Sequence, residues 1–210
     1  VIIKMNPGLT PIQTIGGSGS SPGQFFGPMG LTISPRDEIF VVDSGNHRVQ
    51  KMDIRGNITG IIATRGSGAG QLLNPMDVAY HQGWVYISDY DNARIAVFDT
   101  DGNFIQNITS TSISSPRGIR FIDEERLLIC DDIHGVLVYS IMNGQTEDLL
   151  LETENPADHD LELPMDGWVD ENNVLYIADF AGSNISLFCP ENLRSVNLQV
   201  MIEQSYNGSY

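Results

Sequence analysis

Basic side chains are scarce in this chain. Its 210 residues carry 11 Lys and Arg against 27 Asp and Glu, a formal net charge of -16 at pH 7. The only lysines are Lys4 and Lys51, and no Lys or Arg stands between Arg126 and Arg194. Such a surface repels phosphate backbones, because nucleic-acid affinity comes chiefly from Lys and Arg displacing counterions. Nucleic acid is therefore excluded as a partner, and a basic protein, a cationic peptide or a divalent cation is favoured; the same acidity also serves solubility. Cysteine is nearly absent: Cys130 and Cys189 are too few for a disulfide scaffold. No apolar run reaches membrane-spanning length and no charged-then-apolar leader opens the chain, so membrane insertion is not expected. Apolar residues recurring every three or four positions are also missing, which excludes a helical repeat.

What the chain does contain is one pattern four times over. Apolar runs end on an aspartate at Ile39–Asp43, Val85–Asp89, Leu127–Asp131 and Leu175–Asp179. The aspartates stand 46, 42 and 48 residues apart, and Pro28, Pro75, Pro116 and Pro164 precede them by 14 or 15 residues. A period of 40 to 50 residues built only of short strands points to the four-stranded blades of a β-propeller. In the first unit, strands are expected near Gly30–Ser34, Glu38–Val42, Arg48–Met52 and Ile58–Thr64, separated by turns rich in Gly, Asn and Asp. The second strands are apolar on both faces, with Ile39, Val85, Leu127 and Leu175 in one column, Phe40, Tyr86, Leu128 and Tyr176 in the next, and Val41, Ile87, Ile129 and Ile177 in a third. A sheet apolar on both faces is sandwiched between neighbouring sheets, as radially stacked blades would be. The residue before each aspartate (Val42, Ser88, Cys130, Ala178) is small or medium, so this slot limits volume and Cys130 fills it as a small hydrophobe.

The repeats resemble the NHL family of β-propellers, through SPGQFFGPMGLTI followed by IFVVDSGNHRVQKMD in the first unit and AGQLLNPMDVAY followed by VYISDYDNARIAVFD in the second. The D-x-x-N-x-R element occurs as Asp43, Asn46, Arg48 and as Asp89, Asn92, Arg94; the third unit has His134 and Val136 after Asp131, and the fourth has Asn184 in the arginine position after Asp179. Mechanically, a carboxylate at a strand end can accept N–H bonds from the tight turn that follows, and the Arg can pair with it. The resemblance implies six blades. The sequence offers an all-β propeller domain over residues 1–210: a partial blade at 1–22, whose VIIKM and PIQTIGG read as third and fourth strands, and blades at 23–68, 69–110, 111–157 and 158–210. Together with a Val at position 1, this is the pattern expected of a fragment of a six-bladed ring, with unpaired strand edges that recruit other chains.

Several residues are candidates for chemistry. Up-and-down winding gathers the connections between blades and the turns after each second strand on one face, together with the four aspartates, His47, His134 and His159. The first strands open on Gly30, Asp77, Gly118 and Asp166 in alternation, so two carboxylates are expected at a channel mouth. Hard cations such as calcium take several oxygen ligands, which makes Asp77 and Asp166 candidate metal ligands, although each could equally cap its own loop. The loop Glu152–Asp166 adds Asp158, Asp160 and Glu162 at spacing two, but lacks the turn glycine and terminal bidentate Glu of a calcium loop. Relatives of the resembling family include amidating lyases with zinc held by channel histidines and lactonases with a divalent metal. Here His47, His81, His134 and His159 fall at different places in the repeat and are not expected to converge. Cys130 and Cys189 end different strands and are not expected to bridge. The sequons at Asn57, Asn107, Asn184 and Asn207 point weakly to an extracellular setting, with the cytoplasm left open. The function these features favour is a non-catalytic scaffold for a protein or peptide, with a divalent-metal propeller enzyme as the alternative.

Overall fold

The structure is a computed structural model that describes residues 1–142, 144, 146–148, 163–170, 174–181 and 184–188. Strands β1 (Ile2–Met5) and β2 (Pro11–Ile15) form an antiparallel hairpin, and the short β3 (Gly17–Ser18) and β4 (Gln24–Phe25) pair in parallel across the following loop. Strands β5 (Pro28–Ile33), β6 (Ile39–Asp43), β7 (Arg48–Met52) and β8 (Ile58–Ile62) make an antiparallel sheet in chain order. The unit then repeats. Strands β9 (Thr64–Arg65) and β10 (Gln71–Leu72) pair in parallel, and β11 (Pro75–His81), β12 (Trp84–Asp89), β13 (Arg94–Asp99) and β14 (Phe104–Ile108) form the next four-stranded sheet. A third follows as β15 (Pro116–Phe121), β16 (Arg126–Asp131), β17 (Gly135–Ser140) and β18 (Thr146–Asp148), and then a three-stranded sheet of β19 (Pro164–Val169), β20 (Leu175–Asp179) and β21 (Asn184–Phe188). The chain divides into two compact units, Val1–Ile119 and Arg120–Tyr210.

Each four-stranded sheet is a propeller blade, and apolar second strands are what stack them. In the first unit, Phe40, Val42, Val49 and Ile62 of one blade pack on Val78, Val85, Ile87, Ala96 and Phe98 of the next. On its opposite face, the first blade puts Val41 and Met52 against Ile15 and Ile2 of the leading hairpin. In the second unit, Leu128, Cys130, Val136 and Val138 meet Leu175 and Ile177. Ala178, in the restricted-volume column, is exposed. Cys130 is buried in its slot, and Cys189 lies outside the described residues.

The leading hairpin matches the hairpins of third and fourth strands bond for bond. Asn6 N–H donates to Thr10 O at 3.0 Å, as Asp53 N–H does to Asn57 O and Asp99 N–H to Asn103 O at the same distance. The two lysines do one job twice: Lys4 Nζ donates to Ile54 O at 3.2 Å and Lys51 Nζ to Thr100 O at 2.9 Å, each tying its hairpin to the turn of the next blade. In these turns, the Asn57 and Asn103 side-chain amides hold the Asp53 and Asp99 carboxyls below the usual carboxylate range. A carboxyl whose pKa is lower folded than unfolded contributes stability at neutral pH that disappears as pH falls through the folded value. Asn103→Ala is therefore expected to move the acid-unfolding midpoint, followed by circular dichroism below about pH 4, to higher pH.

Candidate functional site

The aspartates that end the second strands are buried hubs. Asp43 closes β6, where backbone pairing with Arg48 brings the two side chains together across the strands. Its carboxylate accepts the Phe26 N–H at 2.7 Å, the Asn46 amide at 2.9 and 3.0 Å, Arg48 Nε–H at 2.8 Å and Gln50 Nε2–H at 3.0 Å. The donors reach onward into the connector between blades: Arg48 Nη2–H donates to Ser21 O and Gln24 O, Gln50 to Gln24 O at 2.6 Å, and Asn46 to Gly19 O. Asp89 repeats the design with Leu73 N–H at 2.7 Å, Asn92 at 2.8 Å and Arg94 Nε–H at 2.7 Å. Arg94 then spends its remaining N–H groups on Ser67 O, Gly68 O and Gln71 O.

The source of the backbone N–H differs from the expectation drawn from sequence. In the first two blades it belongs to the residue two places before the first strand, Phe26 and Leu73, and not to the turn that follows the aspartate; Asp179 likewise accepts the N–H of Leu163, just before β19, at 2.9 Å. In the first two blades that turn instead closes through its own backbone, as a short 3-10 segment capped by a left-handed residue, His47 or Ala93. Asp131 does bind its own turn, through Ile133 N–H at 3.0 Å and His134 N–H at 3.1 Å, with His134 Nδ1 at 3.4 Å. The third blade holds Val136 where the first two hold Arg, and Val136 is fully buried. In all these blades the aspartate and its donors occupy the same end of the sheet as the connectors, where Gly45 N–H also donates to Phe26 O, Asp91 N–H to Leu73 O and Phe180 N–H to Leu163 O.

Asp77 lies on β11, and both of its oxygens accept backbone N–H bonds, from Val78 at 2.8 Å and Ile119 at 2.9 Å. A Cβ on Gly30 would overlap Asp77 Oδ1, so the Gly–Asp alternation along the first strands is in part a packing complement. Ser88 completes the link: its hydroxyl accepts the Asp77 N–H at 2.7 Å and donates to Arg117 O at 2.6 Å. Asp166 is exposed, and its Oδ1 accepts Gly167 N–H at 2.7 Å. Asp158, Asp160, Glu162 and His159 lie outside the described residues. His47 Nδ1 accepts the Asn74 N–H at 2.9 Å, joining one blade's turn to the next blade's connector. Among the described residues, no group of three or more His, Cys, Asp and Glu is placed to hold a metal ion, and no helix is long and apolar enough to cross a membrane.

Sequence reasoning missed Gln24, Gln50, Gln71 and Ser88. Gln50 is fully buried, but its strand also carries Arg48 and Lys51, so the strand's pattern did not set it apart. Gln71 Oε1 accepts Gly68 N–H at 2.8 Å, and a Cβ on Gly66, at φ +150, would run into it, so the recurring Gly and Gln of the connectors form one motif. Exposed apolar side chains also stand on these connectors and turns: Phe26 in the first unit, Ile133 and Phe180 in the second.

Stacked four-stranded antiparallel sheets with this repeat define a β-propeller. Residues 27–52 match the NHL repeat, so the chain carries at least that repeat and is similar to NHL-repeat proteins. It is 27% identical over 116 residues to Protein brain tumor of Drosophila melanogaster, covering 54% of this chain and 11% of that protein. A probable peptidyl-alpha-hydroxyglycine alpha-amidating lyase of Caenorhabditis elegans is 30% identical over 131 residues, covering 60% of this chain and 37% of the relative. The human E3 ubiquitin-protein ligase TRIM32 is 30% identical over 132 residues, with 57% and 20% covered. The chain thus spans between about a tenth and two fifths of the length of these relatives. In fold it is similar to virginiamycin B lyase from Staphylococcus aureus (TM-score 0.57, 16% identity, covering 79% of this chain and 56% of that one). It is also similar to a chain of a nidogen/laminin complex (TM-score 0.62, 16% identity, 80% and 66% covered).

Proposed function

We propose that this chain is a non-catalytic propeller scaffold that binds a protein or peptide through the end of its blades where connectors and turns meet. The observation that carries this reading is Phe26. The residue is 62% exposed, yet its backbone is clamped on both sides, by the N–H bond to Asp43 and by the Gly45 N–H bond to its carbonyl. An aromatic held out by a rigid loop loses little conformational entropy on binding, and such residues dominate interface energetics. The net charge of -16 favours a basic partner and disfavours nucleic acid. Relatives that include an E3 ubiquitin-protein ligase fit a propeller that selects another protein.

Phe26→Ala should leave the melting temperature within about 2 °C of the parent, since the ring is mostly in solvent, while weakening a bound partner about tenfold or more. Titration of a purified partner by calorimetry checks the affinity, and stopped-flow association should slow as salt rises. Unchanged affinity in Phe26→Ala, together with salt-insensitive association, would count against this face. A second reading, a divalent-metal enzyme, draws on the amidating-lyase relative and on the carboxylates Asp77 and Asp166, with calcium the ion to try.

A further inference from the structure

Thr32, Ala79, Arg120 and Trp168 hold one place in the repeat, four residues after the proline that opens each first strand. The first two are small. The last two are large and meet within the second unit, where the Arg120 guanidinium carbon lies 4.3 Å from the centre of the Trp168 ring, a cation–π contact. The packing of β19 brings them together: a Cβ on Gly167 would overlap Leu128 of the neighbouring blade and come within 2.9 Å of Ile177 Cδ1, so the strand lies close against that blade and delivers Trp168 to Arg120. Arg48, Lys51, Arg94 and Arg126 each pair with a carboxylate of this acidic chain. Among the described residues Arg120 has no such ion pair, and its Nε is buried with no hydrogen-bond acceptor. Buried donors without a partner are rare in folded proteins, and this one belongs to a cation that has given up part of its hydration and gained no counter-ion.

We propose that Arg120 and Trp168 form a binding site for a single carboxylate on an otherwise neutral or basic ligand. Stacking on the indole occupies the face of the guanidinium and leaves its edge, where the two Nη groups form a planar fork that matches the two oxygens of a carboxylate. A partly desolvated guanidinium attracts an anion more strongly than one fully in water. Trp168, 56% exposed, gives the rest of the ligand an apolar surface. The net charge of -16 acts at longer range and is screened by salt, so it disfavours ligands with several negative charges rather than one. The site is separate from the connector end of the blades. Arg120 and Trp168 are each next to last in a first strand that begins at that end, and the site stands whether or not Phe26 meets a partner.

The chain has two tryptophans, so Trp84→Phe leaves Trp168 as the fluorescent reporter of its own site. An end-blocked glutamate peptide supplies a side-chain carboxylate, an N-acetylated glycine peptide supplies a terminal one, and an end-blocked glutamine peptide is the control. At least one carboxylate probe is expected to change the Trp168 emission saturably, with a dissociation constant on the order of 1 mM or tighter, while the glutamine peptide does not. The tighter of the two identifies the source of the carboxylate. Arg120→Gln should abolish the response, and Arg120→Lys should weaken binding about tenfold, because a point charge replaces the fork. Arg120→Met removes the unpartnered donor and should melt within about 2 °C of the parent or above it. Four results would overturn the proposal: no saturable response to either carboxylate, an equal response to the glutamine peptide, a response that survives Arg120→Gln, or a fall of about 5 °C or more in Arg120→Met, which would make the arginine a structural support for Trp168.

Discussion

Asp89→Ala is expected to destabilise the first compact unit by about 3 to 5 kcal/mol, the usual effect of removing one partner of a buried ion pair. Arg94 is 7% exposed and donates Nε–H to Asp89 at 2.7 Å; its other bonds are to three carbonyls, which offer partial charges but no counter-ion. The Leu73 N–H would lose its acceptor as well. Against a typical global stability of about 5 to 15 kcal/mol, a loss of that size lowers the melting temperature on the order of 10 °C. The two tryptophans separate the readout, since Trp84 lies on the Asp89 strand and Trp168 in the second unit. Urea unfolding followed by fluorescence should move the Trp84 transition. The third blade supplies an internal control, because it keeps Asp131 and has Val136 in place of Arg. Arg94→Val should accordingly cost less than Asp89→Ala, and the double variant should recover part of the loss of the latter. A carboxylate hub that tolerated Ala as readily as Arg94→Val would show that the aspartate is not what anchors the connector.

The repeat was legible because strand chemistry is local: Ile39–Asp43 and Arg48–Met52 fall where the apolar runs place them. Pairing of Arg48 with Asp43 follows from the same proximity. What the sequence does not display is the partner of a side chain 17 positions away across loop and strand, which is how far Phe26 lies from Asp43. A residue-by-residue reading therefore assigned the aspartate to its nearest turn, whereas the fold uses it to fasten the connector that leads into the blade's first strand. The Gly and Asp alternation of Gly30, Asp77, Gly118 and Asp166 likewise gains from the fold a meaning that one strand alone does not show. Read along one strand, Asp77 looks like a ligand donor. Seen between strands, its carboxylate occupies the space a Gly30 side chain would need and bonds the backbone of β15 through Ile119.

Asp77→Ala removes the acceptor of two N–H groups, Val78 and Ile119, and should cost about 2 to 4 kcal/mol if each is left unsatisfied at the usual penalty. Asp77→Asn should cost less but not nothing. An amide presents one acceptor oxygen and one donor, so one of the two backbone N–H groups then faces another N–H. This ordering, with Ala worse than Asn and both worse than the parent, belongs to a structural carboxylate and is measured by chemical denaturation in EDTA. The same three proteins in millimolar calcium decide the metal reading. A site at a hundred times its dissociation constant adds about 2.7 kcal/mol to the native state, so the parent alone would gain that increment and Asp77→Ala would not. If the scaffold reading holds, calcium leaves all three curves where EDTA left them. The reason is physical: a carboxylate already turned toward two backbone donors would have to give up those bonds, or share its remaining lone pairs, to coordinate an ion.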